Sequence, residues 1–286
     1  MNIMMKRQVG VHVSIAGSLP YAFDRARERG CDCMQIFTKN PRGWQAKPIS
    51  EHDTDAFIRK AAEFSPGIVF AHISYLPNLA GEKPVMYERS VQALRMELDR
   101  CGILQIPYLV THLGHAGDDR KSGRTRVVSA IDTALAGSKS GTILLLENTA
   151  GEQNSVGSTI EDIADVFGRC EQQSRLGICF DTCHAFAAGY DLRDPESVGE
   201  VADQIQDAIG LSSLHLIHLN DAKGDLGSGL DRHEHIGMGN LGEAGIRSVL
   251  LHPGFSKIPC ICETPVDDRR GDAENIRVVR ELMRMG

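Results

Sequence analysis

Short apolar runs recur along the chain, and each is followed by a longer stretch whose apolar positions return at helical spacing. The runs QVGVHVSI, CDCMQIFT, GIVFAHI, PYLVTHL, TILLLEN, LGICFDT, SLHLIHLN and IPCICET have the β-branched and aliphatic character of buried strands. Helical spacing falls over 18–29, 51–64, 83–101, 121–138, 158–170, 196–210, 242–252 and 272–284. KPVMYERSVQALRMELDRCG ends on a glycine that reads as a helix stop, and GSTIEDIADVFGRC opens with Ser/Thr followed by acids. Strict alternation of strand and helix predicts a parallel sheet covered by helices. With eight units of each, a closed barrel is favoured over an open doubly wound sheet, and VHVSIAGSLP carries no Gly-x-Gly-x-x-Gly after the first strand. The expected architecture is therefore an α/β fold, a single-domain (β/α)8 TIM barrel spanning residues 1–286. Two domains would be the guess from length alone, but barrels of this kind run to such lengths as one unit.

The strand ends carry the chemistry. FAHIS ends on His72, VTHLG on His112, LLENT on Glu147, FDTCH on Asp181 with His184 just beyond, IHLND on His218 and ICETP on Glu263. GLDRHEHIG, after the seventh strand, adds Asp231 and His233. In a parallel barrel all C-terminal strand ends meet on one face, the face that carries active sites. Taken singly, a histidine at a strand end is more often a hydrogen-bonded core residue, and an aspartate there more often a helix N-cap. Taken together, four carboxylates crowded on one face repel, and neutral imidazoles do not offset them.

Divalent cations resolve the conflict. Imidazole with carboxylate and no convergent thiolate suits zinc, manganese or iron, whereas magnesium prefers oxygen alone. One ion cannot use nine ligands, which points to a multinuclear centre with Glu147 able to bridge. Three divalent ions would leave about two positive charges over to attract an anion. Ions about 3.5–4 Å apart suit phosphate-ester hydrolysis. Glu263 would orient or deprotonate the nucleophile, or serve simply as a ligand.

Composition changes this picture little. A hydrophobic share of 42% and a charged share of 24% describe an ordinary globular protein. No apolar run approaches the ~20 residues needed to span a bilayer, and MNIMMKRQVGVHVSIAG has no signal-peptide core, so a cytoplasmic protein without a membrane partner is expected. The net charge of −7 argues against a nonspecific basic nucleic-acid surface but not against a site where metal and a few arginines face phosphate. The eight cysteines, with C-x-C pairs at Cys31/Cys33 and Cys260/Cys262 and C-x3-C at Cys179/Cys183, read as buried reduced thiols rather than a disulfide frame or zinc ribbon.

GVHVSIAG, FTKNPRGW, AHISYLPNLA, THLGHAG, LLENTAG, FDTCHAFAAGYD, HLNDAK, GSGLDRHEHIG and ETP, in this order from residue 10 to 265, resemble the motifs of the endonuclease IV family of zinc-dependent AP endonucleases. The resemblance implies three zinc ions, with manganese or iron as substitutes. His72, His112 and Glu147 would hold one, Glu147, Asp181, His218 and Glu263 the second, and His184, Asp231 and His233 the third. It implies catalysis involving Glu147, Asp181 and Glu263. It also implies contact with double-stranded DNA through Asn40, Arg42, Tyr75 and Leu76 on loops that enter the minor groove. Planar and apolar loop tips wedge into a base stack and hold an abasic nucleotide out. Packing beneath a loop is the alternative for Tyr75 and Leu76, and the preferred reading for Trp44; Lys39 and Arg42 would equally serve as solvated loop charges. The implied reaction is hydrolysis 5′ to an abasic site, with removal of 3′ blocks as its companion, and a monomer suffices.

Four departures from the family pattern stand out: His115 where serine is common, Glu152-Gln153-Asn154 where Gln-Gly is usual, Ala222 for serine and Gly229 for arginine. None removes an implied ligand; His115 or His235 would be extra contacts. A metal-dependent sugar isomerase on a similar barrel is the enzymatic rival, separated by a need for only one or two ions. A non-catalytic DNA-binding or metal-storage barrel is the other.

Overall fold

The computed structural model describes residues 7–284. Eight strands close a parallel barrel: β1 (Val9–His12), β2 (Cys33–Phe37), β3 (Val69–His72), β4 (Tyr108–His112), β5 (Ile143–Glu147), β6 (Leu176–Asp181), β7 (Leu214–His218) and β10 (Cys260–Cys262). Each pairs with its sequence neighbour, and β10 lies between β7 and β1. A two-stranded antiparallel ribbon, β8 (Asp221–Ala222) and β9 (His233–Glu234), is inserted between β7 and β10. The helices among the described residues are α1 (Tyr21–Glu28), α2 (Glu51–Phe64), α3 (Pro84–Leu104), α4 (Arg120–Gly137), α5 (Ile160–Arg169), α6 (Thr182–Ala188), α7 (Pro195–Ala208), α8 (Gly242–Leu251) and α9 (Asp272–Arg284). None of them is long and apolar enough to cross a membrane.

Successive strand residues point to opposite faces, so each strand serves two cores. One set packs outward under the helices, as Met34 and Ile36 of β2 and Leu144 and Leu146 of β5 do. The other plugs the barrel: Cys33, Phe70, Val110, Leu145, Cys179, Leu216 and Ile261, one from each of seven strands, form a separate buried cluster. The eighth strand has Gly10 at this level, and a Cβ there would lie 1.7 Å from the Cys33 carbonyl oxygen. Only glycine permits that approach of β1 to β2.

The expected barrel and its eight strands are present, with three differences at the level of elements. The predicted stop at Gly102 does not end α3, which continues to Leu104 and terminates on Gln105 in the left-handed region (φ 56°). Gly102 instead gives room to Ser140, whose Cβ and Oγ would lie 3.0 Å from an added Cβ. The second difference is α6, which lies outside every predicted helical range. Asp181 caps it, Oδ1 accepting the His184 N–H at 2.8 Å, so the helix-cap reading of this aspartate also holds. The third is the β8–β9 ribbon, too short to leave a periodic signal.

Candidate metal centre at the barrel mouth

Six of the nine residues singled out at strand ends stand two positions beyond a plug residue. His72 follows Phe70, His112 follows Val110, Glu147 follows Leu145, Asp181 follows Cys179, His218 follows Leu216 and Glu263 follows Ile261. The strand period of two therefore turns all six toward the barrel axis, one layer above the apolar plug. Register ties them laterally: His112 is paired with Glu147, and Asp181 with His218. His184 comes from the first turn of α6, while Asp231 and His233 reach the mouth through the loop that closes on β9.

Candidate ligand atoms gather in sets lying within 4.8 Å of one another: His72, His112 and Glu147; Glu147, Asp181, His218 and Glu263; and His184, Asp231 and His233. These sets contain the same residues as the three implied by the resemblance. Glu147 is fully buried and belongs to two of them. Its Oε1 lies 2.7 Å from His218 Nδ1, and its Oε2 lies 3.1 Å from His72 Nε2 and 3.4 Å from His112 Nε2. Asp231 Oδ1 stands 3.2 Å from both His184 Nε2 and His233 Nε2.

The donor set fits divalent metal. His72, His184 and His233 each direct Nδ1 at a backbone carbonyl, of Ile73 (2.7 Å), Asn148 (3.0 Å) and Glu263 (3.0 Å). A carbonyl only accepts, so each imidazole carries a proton on Nδ1, which leaves Nε2 as the atom that would face a metal ion. His233 Nε2 is buried with no aligned hydrogen-bond partner, as a ligand atom awaiting a cation would be. Around the carboxylates, Asn220 Nδ2 donates to Asp181 Oδ2 at 2.7 Å while its Oδ1 accepts the Glu263 N–H at 2.7 Å, and Asn148 Oδ1 accepts the Asp181 N–H at 2.7 Å.

Without metal, protons carry the positive charge. Burial opposes charging His233, but Asp231 and the Asp181 charge lift it to about 9. Burial likewise works against His184 and His218, yet Asp181, Asp231 and Glu147 hold His184, and Cys179 with Glu263 and Glu147 hold His218, well above the ordinary imidazole range. Glu147 sits well below the ordinary carboxylate range: burial pushes it up, and His112 and His218 more than reverse that.

One expectation is corrected. Sulfur does converge on this site: Cys179 Sγ joins Glu147 and His218, and Cys183 Sγ joins Asp181 and His233, within the same 4.8 Å limit. Burial pushes the Cys179 thiol up to about 12 and raises Cys183 as well, so both remain protonated and the nitrogen and oxygen donors stay the stronger set. All eight cysteines are free, and seven are buried.

The four residues that the resemblance implies as DNA contacts lie on the loops after β2 and β3, which are adjacent strands. Tyr75 is 72% exposed and lines the mouth together with His72, Glu263 and Asp231. Asn40 and Arg42 are exposed, Asn40 Oδ1 accepting the Arg42 N–H at 3.0 Å, and Leu76 is half-buried. Trp44 is half-buried beneath Arg89, whose guanidinium lies 5.6 Å from the ring centroid, in keeping with packing. Lys39 is no solvated loop charge: it is buried, its Nζ donating to Gly43 O (2.5 Å) and Ser74 Oγ (3.1 Å), with Glu97 at 3.8 Å. His235 is no extra contact at the mouth; it is buried between Asp267 (2.9 Å) and Asn275 (3.1 Å). His115 is exposed beside the mouth.

The strand-end reading passed over two polar residues of the same layer. His12 and Gln35 stand two positions after Gly10 and Cys33, where β1 and β2 turn toward the axis. The period-two step from the plug would have found them.

Fold and mouth together define a xylose isomerase-like TIM barrel, the description of the family that the chain matches over residues 23–285. Within that class the similarities are specific. The chain is 54% identical over 276 residues to the probable endonuclease 4 of Methanoculleus marisnigri, covering 96% of this chain and 98% of that protein. Endonuclease IV from Thermus thermophilus superposes with a TM-score of 0.87 at 35% identity, over 98% of this chain and 100% of that one. A D-tagatose 3-epimerase-like protein also superposes, with a TM-score of 0.73 over 97% of both chains, but at 18% identity it shares the fold alone. The chain belongs to the endonuclease IV family.

Proposed function

We propose that the mouth binds three zinc ions and hydrolyses the phosphodiester 5′ to an abasic site in duplex DNA, leaving a 3′-hydroxyl and a 5′-deoxyribose phosphate. Removal of blocked 3′ ends is the companion activity, and manganese or iron would substitute for zinc. Membership of the family makes this a nuclease of the endonuclease IV type, with a role in DNA repair. The observation that carries the finer reading is the convergence of three ligand sets, two sharing Glu147, in one layer at the open end of the barrel. His72, His112 and Glu147 would hold one ion, Glu147, Asp181, His218 and Glu263 the second, and His184, Asp231 and His233 the third. Bound there, the ions would supply Lewis acidity toward phosphate oxygens and an acidified water.

The chain's own residues do the rest. Glu263 is half-buried at the rim and is the carboxylate placed to orient a nucleophile, with Glu147 and Asp181 fixed beneath it. Tyr75 and Leu76 wedge into the duplex, and Asn40 and Arg42 contact the strand beside the lesion. Recognition rests on the flexibility of a base-less site rather than on sequence. The protein acts as a monomer in the cytoplasm.

The test is a duplex carrying one tetrahydrofuran abasic analogue, which cannot undergo β-elimination. The expected result is a nick immediately 5′ to the analogue with an extendable 3′-hydroxyl, from protein holding about three zinc ions per chain. Zinc-loaded protein that leaves this duplex intact overturns the proposal.

A further inference from the structure

Eight strands contribute one side chain each to the layer above the plug, and six of those side chains are accounted for as metal ligands. The other two, His12 and Gln35, bond to the ligands or to each other. Gln35 is fully buried on β2, directly across from His12 in the β1–β2 register. Its Nε2 donates to Glu263 Oε1 at 2.7 Å and lies 3.1 Å from His12 Nδ1, while its Oε1 lies 2.8 Å from His218 Nε2.

These contacts fix one another in order. A carboxylate only accepts, so Glu263 selects the amide orientation with nitrogen toward itself and oxygen toward His218. The amide oxygen in turn only accepts, which places a proton on His218 Nε2 and turns Nδ1 toward Glu147 Oε1, Glu263 Oε2 and Asp181 Oδ2, at 2.7, 3.4 and 3.9 Å. The second amide hydrogen meets His12 Nδ1, which must accept. His12 then carries its proton on Nε2, and this atom is buried without a hydrogen-bond partner.

The geometry points to Gln35 as the positioning residue of the second ion's site. One amide sets which nitrogen His218 offers and where the Glu263 carboxylate stands, with His12 buttressing the amide from the far side. Most side-chain hydrogen bonds go to backbone or water, whereas this amide bonds to three side chains of the site layer. The inference rests on the proposed metal centre, so its test reads each ion site separately.

The experiment is cadmium-113 NMR on the cadmium-substituted protein, with zinc affinities measured by chelator competition, for wild type, Gln35→Leu and Gln35→Glu. Gln35→Leu removes the amide's hydrogen bonds at similar volume. Gln35→Glu keeps an acceptor for His218 but opposes Glu263 with a second carboxylate, and it provides the second reading should the leucine variant fail to fold. The expected result is that the line of the ion held by Glu147, Asp181, His218 and Glu263 moves or disappears while the His184, Asp231 and His233 line stays. Affinity at the affected site should fall about 10- to 100-fold. Folded variants with wild-type lines and affinities overturn the role of Gln35 and leave the metal centre standing. A wild-type protein that gives no line from this site overturns the metal reading and the inference with it.

Discussion

Tyr75 packs edge-on against Phe37, the ring centroids 5.2 Å apart and the planes 71° from each other. One edge of the tyrosine is thus anchored on the end of β2, while most of the ring stays in solvent at the mouth. A ring held this way is preorganised to stack and is not needed to close the core. Tyr75→Ala should weaken binding to abasic duplex about 5- to 100-fold, the scale of one lost aromatic stacking contact. Zinc content and Tm should stay at wild-type values. A fall in zinc content, measured on the same preparation by atomic emission, would make Tyr75 structural and sink the wedge.

Removing Asp181 acts differently, because its two oxygens already serve His184 N–H and Asn220 Nδ2. Asp181→Ala should lose zinc and nicking together, along with the cap of α6, which alone is worth about 1 kcal/mol. Glu263→Gln keeps the shape and removes the charge; its nicking rate should drop at least ~100-fold with substrate binding retained. A glutamine variant that nicks at the wild-type rate would rule out a catalytic role for Glu263.

Metal bound at the proposed centre would compete with protons for the same imidazoles, with a definite sign. In the metal-free protein His233 is raised from 6.5 to about 9, so its contribution to stability is complete below pH 6.5 and is lost as pH rises through about 9. Metal binding must displace that proton at neutral pH and no longer needs to above pH 9. The Tm gained on adding zinc to chelator-treated protein should therefore widen between pH 6.5 and 9. A gain that is flat or shrinks over that window, in thermal melts at matched ionic strength, contradicts this.

Lys39 supplies a stability test away from the metal. Its ammonium faces Glu97 inside the protein, and Lys39→Ala would leave that carboxylate short of a partner. Removing one member of a buried pair costs about 3 kcal/mol or more. Urea unfolding should show that loss, and zinc affinity should not change.

Gly229 adopts φ +65°, and an added Cβ would meet nothing closer than the Gly151 carbonyl at 3.5 Å. Gly229→Arg should therefore cost only the left-handed backbone penalty, about 1–2 kcal/mol. One more cation beside the cleft should steepen the salt dependence of DNA binding by about one unit. An unchanged slope in a salt titration would mean the arginine does not reach phosphate.

The barrel was legible from the strand–helix alternation, and six candidate ligands stood out because each closes an apolar run; the structure adds that each of the six lies two positions beyond a plug residue and so faces the same way. What the sequence hid was what mimics something else or depends on distant partners. The seven residues of α6 fall outside every predicted helical range because they begin inside FDTCH, where Asp181 serves strand, cap and site at once. Gly102 carries the composition of a stop but the duty of a contact with Ser140. Lys39 reads as a solvated loop charge and His235 as an extra contact, since nothing local announces partners as distant as Glu97 and Asp267. Gln35 was missed for its chemistry: an amide inside an apolar strand draws no notice until its neighbours are known.

Each strand from β3 to β7, and the segment that leaves β10, contributes one member to the central layer, and Glu263 comes from the last strand made. A chain still emerging from the ribosome lacks the closing strand and this carboxylate together. If Glu263 belongs to the cutting centre as proposed, a truncated or half-folded copy would lack the complete centre needed to break a chromosome.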